Sequence, residues 1–159
     1  MNLSSGKIVA VGAALALLWA SGRFRRTPFD AAFARQAKPS VGITPNLLKA
    51  IALKESGMRP SIVSPVNRNG TRDYGLLQVN SATAQRMGVA VTALLDPETC
   101  IRVASQYLEA IRGELRPFTE ARWVAAYNAG APTINRAGIV NPGYVLEVLW
   151  NRQLFAMVS

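Results

Sequence analysis

The sequence predicts a mainly α-helical domain with one short irregular or hairpin segment, preceded by an N-terminal hydrophobic helix. Three observations carry that reading. Between residues 44 and 149 apolar residues recur at three- and four-residue spacing, the signature of helices with one buried face. Each periodic stretch opens on Thr44, Ser81, Asp96, Thr119 or Asn141, residue types whose side-chain oxygens satisfy the free N–H groups of a first turn. No alternating apolar and polar stretch of strand length competes with them. At 159 residues the chain holds one domain plus an appendage.

Taken in order, residues 8–20 read "IVAVGAALALLWA", with Lys7 before them and "SGRFRR" after. Thirteen apolar residues match the core of a signal peptide, and Ala20-Ser21-Gly22 offers a small-residue cleavage pattern. The arginines Arg23, Arg25 and Arg26 outnumber Lys7, a bias that opposes export of the downstream domain. Residues 1–26 are therefore expected to be an uncleaved membrane anchor first, a cleaved signal second and a buried structural helix a distant third, since charges flank the apolar stretch at both ends. Residues 27–42 are expected to be a linker with a short helix after Asp30 that stops near Pro39.

The domain is expected to span residues 43–159. Thr44-Pro45 starts its first helix and Gly57 stops it. "NRNGTRDYG", residues 67–75, is polar and turn-rich, and its Asn-Gly pair favours a hairpin or an irregular loop. Ser81 caps a short helix ending at Gly88. Asp96-Pro97 starts a longer one with Ile101, Ala104, Leu108 and Ile111 on one stripe and Gly113 near its end. Thr119 opens a helix running to Gly130, and Asn141-Pro142 opens the last, which carries Val145, Val148 and Leu149.

Composition narrows the chemistry. Half the residues are hydrophobic and 17% are charged, which excludes a disordered chain. Lys plus Arg number 18 against 9 Asp plus Glu, for a net charge of +9. That balance favours polyanionic partners: nucleic acid, anionic lipid or acidic wall polymer. No long basic run, basic aromatic strand or zinc spacing marks a nucleic-acid binder. With no His and only Cys100, the chain has neither an imidazole base nor an internal disulfide, and nothing calls for a metal or an organic cofactor. Cys100 reads as a small buried apolar residue. Catalysis, if present, rests on carboxylates, hydroxyls and amides.

Glu55, in "KESGM", shares a helix face with Leu48, Ile51 and Ala52. It also lies in the last turn of that helix, where the dipole disfavours a carboxylate. Both effects raise its pKa, as a general acid requires. The alternative reading leaves it in solvent or pairs it with Arg59.

Three blocks occur in order: "ESGMRPSIVS" (55–64), "NRNGTRDYGLLQVNS" (67–81) and "AAYNAG" (125–130). Their order and spacing resemble the lytic transglycosylase domain of the soluble lytic transglycosylase family. The middle block is most similar to the small members that accompany secretion, invasion and pilus systems or ride in phage particles. The resemblance covers residues 44–149 and implies a lysozyme-like fold with a groove for peptidoglycan glycan strands.

It implies further that Glu55 is the catalytic acid. Glu55 would protonate the oxygen leaving the N-acetylmuramic acid C1 carbon, then take the proton of the 6-hydroxyl as a 1,6-anhydro ring closes. Ser64 matches a hydroxyl near the N-acetyl group and Gln78 a groove amide. Tyr127 matches the tyrosine that hydrogen-bonds the catalytic carboxyl, and Asn128 lies beside it. Asp73 is the one possible second acid in the blocks and reads better as a turn residue bonded to its own loop. Gly75 serves the backbone, and Leu76 and Leu77 the packing. Trp123, Tyr144 and Trp150 are either core residues or sugar platforms.

Departures are local. Leu77 and Val79 replace the family's usual Met and Ile. Cys100 stands where Asn is common, removing a helix-associated hydrogen bond. "IVNPG" (139–143) lacks a Glu that some members carry before the match to Tyr144-Val145. The resemblance implies a membrane-associated enzyme facing the periplasm, or a virion component, that opens the wall for a larger assembly. Two other functions share the fold: a hydrolytic muramidase in which Asp73 positions water, and a non-catalytic wall-binding or virion protein.

Overall fold

The computed structural model describes residue 22 and residues 26–158. The expected apolar segment at residues 8–20 lies outside these. Among the described residues no helix is long and apolar enough to cross a membrane.

Helices dominate. In chain order they are α1 (Asp30–Gln36), α2 (Pro45–Ser56), α3 (Ser81–Arg86), α4 (Pro97–Glu114), α5 (Glu120–Ala129), α6 (Ala131–Ala137) and α7 (Pro142–Val158). Two strands, β1 (Asp73–Tyr74) and β2 (Val79–Asn80), lie between α2 and α3. Three of the caps expected from the sequence form: Thr44 Oγ1 accepts from Leu47 N at 3.2 Å, Asp96 Oδ2 from Thr99 N at 2.8 Å and Thr119 Oγ1 from Arg122 N at 3.2 Å, whereas the Asn141 side-chain oxygen is buried without a hydrogen-bond partner. Pro45 and Pro97 take first-turn positions, where no N–H is needed. Gly57 closes α2 in the left-handed conformation (φ 62°). α3 is capped one residue earlier than expected: Asn80 Oδ1 accepts from Ala82 N at 3.0 Å.

The segment expected to be a linker is part of the fold. α1 buries Phe33 completely, and a phenylalanine withdrawn from water contributes roughly 1.5–3 kcal/mol. The half-buried Asp30 binds the buried ammonium of Lys49 on α2 at 3.0 Å, while Ser105 of α4 donates to Gln36 O at 2.7 Å. The sequence reading missed this because one short helix with two buried residues gives little periodicity.

The short helix expected after Asp30 is α1 itself, whereas α6 was not anticipated. It begins directly after Gly130 and buries Ala131 and Ile134, so a glycine that reads as a stop also separates two consecutive helices. The central core places Leu47, Leu48 and Ile51 of α2 together with Ile101 and Leu108 of α4, Trp123 of α5 and Phe155 of α7, all nearly or wholly inaccessible. Trp123 Nε1 donates to Leu108 O at 2.7 Å, which makes Trp123 a core residue and removes it as a sugar platform.

The hairpin exists, but Asn69-Gly70 is not its tip. β1 and β2 pair antiparallel with Asp73 opposite Asn80 and Tyr74 opposite Val79, so the connection is "GLLQ", residues 75–78. Asn69 and Gly70 (φ 80°) form a separate turn before it, closed by Gly70 N to Asn67 O at 2.9 Å. The 75–78 connection points inward, with Leu76 and Leu77 fully buried. A buried loop must find partners for its peptide groups. Ser56 Oγ donates to Leu76 O at 2.7 Å, Tyr127 Oη donates to Leu77 O at 2.9 Å, and Leu77 N donates to Cys100 Sγ at 3.3 Å. Cys100 is buried as expected, and its sulfur serves as the acceptor for Leu77 N.

Candidate active site

α2 delivers Glu55 to the floor of a cleft of about 640 Å³, bounded by the hairpin, α3, α4 and the end of α5. That volume is typical of small-molecule sites. Leu48, Ile51 and Ala52, on the same face of α2, are fully buried, so Glu55 stands where the apolar face meets the cleft. Burial pushes its carboxyl up to about 7, the repulsion of Asp73 acts in the same direction, and Tyr144 and Lys54 oppose them. Its titration is thereby brought close to neutral pH. Arg59 does not neutralise it: its Nε donates to Ser56 O at 2.8 Å instead.

The tyrosine bonded to the acid is Tyr144, not Tyr127. Tyr144 Oη donates to Glu55 Oε1 at 2.6 Å, and its own ionisation is raised well above the ordinary range by burial and by the neighbouring carboxyl. Tyr127 faces the cleft but gives its hydroxyl hydrogen to Leu77 O. The sequence allowed Tyr144 only core or stacking roles, because its partner lies 89 residues away in the chain. α2 and α7 make the most extensive helix contact of the fold. Beside the Glu55 to Tyr144 bond, Lys54 Nζ meets Glu147 Oε2 at 2.5 Å, so adjacent residues of α2 each reach a residue of α7.

The hairpin supplies the opposite wall. Gln78 has a left-handed backbone (φ 47°), an uncommon state for a non-glycine residue and a frequent one at functional positions. Its Nε2 donates to Gly75 O at 2.9 Å and to Ile62 O at 3.1 Å. Both amide hydrogens are thereby taken and its side-chain oxygen remains as an acceptor. Asn128 is arranged the other way: its Oδ1 accepts from Asn141 Nδ2 at 2.8 Å, and its NH₂ has no acceptor among the described residues. Asn141, read from the sequence as a helix start, thus fixes the orientation of a cleft amide.

Asp73 is held by its own loop, but through side chains. Its Oδ1 accepts from Asn80 Nδ2 at 2.7 Å and its Oδ2 from Asn67 Nδ2 at 3.0 Å. Ser64 does not line the cleft. Its hydroxyl donates to Pro65 O at 2.8 Å and accepts from Asp73 N at 2.9 Å, fixing the strand edge behind Asp73. Tyr107, which the sequence reading passed over, lines the cleft and packs on Tyr127 with ring centroids 5.6 Å apart. It is only partly buried, and its place beside the Leu108 stripe of α4 is the one sequence signal that marks it. Trp150 is 63% exposed on the outer face of α7, away from the cleft.

The arrangement can deliver one proton from a single poised carboxyl into a polar groove, and it sets a pH dependence. The hydrogen bond from Tyr144 stabilises the carboxylate, so Tyr144→Phe should raise the pKa of Glu55 further. The alkaline limb of an activity profile should then move to higher pH, with the maximal rate reduced by about tenfold. A profile unchanged in position would mean that the bond does not act on the acid.

Residues 32–141 match the family described as transglycosylase SLT domain. Over 93 residues the chain is 40% identical to Protein IpgF of Shigella flexneri, covering 55% of this chain and 59% of that protein. Over 99 residues it is 38% identical to invasion protein IagB of Salmonella typhimurium strain LT2, covering 60% of each. It is also 37% identical over 91 residues to membrane-bound lytic murein transglycosylase F of Histophilus somni strain 2336, covering 54% of this chain and 17% of that protein. The chain spans about three-fifths of the length of the first two relatives.

Proposed function

The chain belongs to the transglycosylase SLT domain family, and from that premise we propose that it cleaves the β-1,4 bond between N-acetylmuramic acid and N-acetylglucosamine in peptidoglycan, leaving 1,6-anhydro ends. The observation that carries this reading is Glu55: a carboxyl in the cleft with its pKa raised to about 7 and a tyrosine on one oxygen. Protonated Glu55 gives its hydrogen to the glycosidic oxygen as the C1–O bond breaks. The substrate's N-acetyl oxygen assists by transient attack on C1. The Glu55 carboxylate then takes the 6-hydroxyl proton as O6 closes on C1. The acid returns to its starting state and no water is consumed.

This sequence of steps needs no second carboxylate. A two-acid glycosidase requires a free partner roughly 5–9.5 Å from the first, whereas both oxygens of Asp73 already accept amide hydrogens. That engagement favours transglycosylation over hydrolysis. Asn128, with free N–H groups, and Gln78, with a free oxygen, are suited to the carbonyl and the N–H of an N-acetyl group. Tyr127 contributes through the Leu77 carbonyl and the wall it builds with Tyr107. Ser64 acts by holding β1 in place.

The proposed setting is the cell envelope, with the apolar residues 8–20 as a membrane anchor and the domain facing the periplasm. There the enzyme would open peptidoglycan locally for an envelope-spanning assembly. The relative named as an invasion protein supports that role, and the one named as membrane-bound supports the location. The test is mass spectrometry of soluble products from purified peptidoglycan. Anhydro-muropeptides are expected. Reducing-end products would instead assign hydrolysis, and binding without product a non-catalytic role.

A further inference from the structure

One flank of the cleft is cationic, and its arginines have no ion-pair partner among the described residues. Arg68, in the turn beside Asn69, and Arg86, in the last turn of α3, line the same cavity as Glu55. Neither forms an ion pair among the described residues. Arg86 Nη2 reaches only the Thr83 hydroxyl, at 3.3 Å, and Arg68 has no hydrogen bond among those residues. The two acids of the cavity are engaged elsewhere, Asp73 by Asn67 and Asn80 and Glu55 by Tyr144. The charges that act on Glu55 are those of Asp73 and Lys54, while Arg86 acts on the Tyr107 hydroxyl.

Two exposed arginines that line a cavity and form no ion pair among the described residues are matched to an anionic ligand, since a guanidinium pairs its N–H groups with the two oxygens of a carboxylate. The alternating N-acetyl sugars of the strand are neutral where the lactyl group is amide-linked, so the negative charge lies on the attached peptide. We propose that Arg68 and Arg86 bind carboxylates of the peptide stem and make this chain selective for stem-bearing over stem-free glycan strands. The inference rests on the transglycosylase reading and adds a determinant of specificity to it.

The experiment compares kcat/KM on three soluble substrates: stem-bearing strands, strands stripped of their stems, and stem-bearing strands whose carboxylates have been amidated. The wild type should prefer the first by roughly tenfold or more, as expected when charge-assisted hydrogen bonds are lost, and the preference should shrink at high salt. In Arg68→Gln/Arg86→Gln the ratio should fall towards one. Arg102→Gln/Arg136→Gln removes the same net charge outside the cleft and should keep the wild-type ratio. Because Arg68 makes no hydrogen bond among the described residues, Arg68→Gln alone tests the idea without a folding defect, which circular dichroism would verify. Equal rates on all three substrates, or a ratio retained by the double variant, overturn the proposal. A preference for stem-bearing strands that survives amidation also overturns it, by assigning the contact to the peptide rather than to its charge. If the wild type cleaves none of them, the catalytic reading fails instead, and calorimetric binding of the same strands to wild type and variant decides the arginines' role.

Discussion

Glu55→Gln is expected to lower release of soluble muropeptides by on the order of 10³-fold, the scale of a lost general acid, while making the domain more resistant to heat above pH 7. The two effects have one cause. The native carboxyl titrates at about 7 instead of 4.5, so the folded state holds a proton that the unfolded chain releases between those values. Stability contributed by the protonated form is complete below about pH 4.5, declines as the pH rises through that window, and is absent above 7. A Gln cannot ionise, keeps an oxygen for the Tyr144 hydroxyl, and avoids the penalty. The gain should be on the order of 2 kcal/mol above pH 7, reduced from the full shift because Glu55 borders an open cleft. Thermal melts of both proteins from pH 4 to pH 8 check this. A stability difference that does not grow with pH would mean the acid is not poised as described, even if the variant is inactive.

Gly75→Ala should be the most damaging small substitution in the hairpin. Gly75 has φ 75°, and an added Cβ would lie 2.0 Å from Leu94 O and 3.0 Å from Cys100 Sγ. The carbonyl belongs to a 3-10 turn, Val91–Leu95, whose Leu94 is fully buried, so no side-chain rotation can relieve the overlap. We expect a loss of about 3 kcal/mol or more, with activity falling further as Gln78 is displaced. Gly70 provides the control. Its φ is 80°, but an added methyl would meet nothing within 4 Å, so Gly70→Ala should cost only the backbone strain, about 1 kcal/mol. Equal melting temperatures for the two variants would contradict the close approach at Gly75.

The helices were legible where local chemistry decides them. Thr44, Asp96 and Thr119 cap because their oxygens reach N–H groups three residues on, a contact written entirely within the motif. The short helix after Asp30 was expected but its docking was not, and α6 escaped altogether, because both depend on what covers them, Phe33 and Ile134 being buried by distant elements. The same division runs through the site. Glu55, Gln78 and Asn128 were found through short motifs and lie together in the cleft. Tyr144, Asn141 and Tyr107 were not, because each acts through a partner remote in sequence. The roles imagined for Tyr127 and Ser64 were altered by where their hydroxyls point, a matter of packing that no spacing rule encodes.

The bond between α2 and α7 has a further consequence. Residues 32–141 carry the family match, yet the hydroxyl that grips the acid comes from Tyr144, just beyond them. α7 also covers that end of α2, so the acid strength of Glu55 reports whether the last helix is seated. Undocking α7 would remove the Tyr144 bond, which holds the pKa of Glu55 down against the effect of burial. The seating of α7 and the protonation of Glu55 are thus coupled through a single hydroxyl.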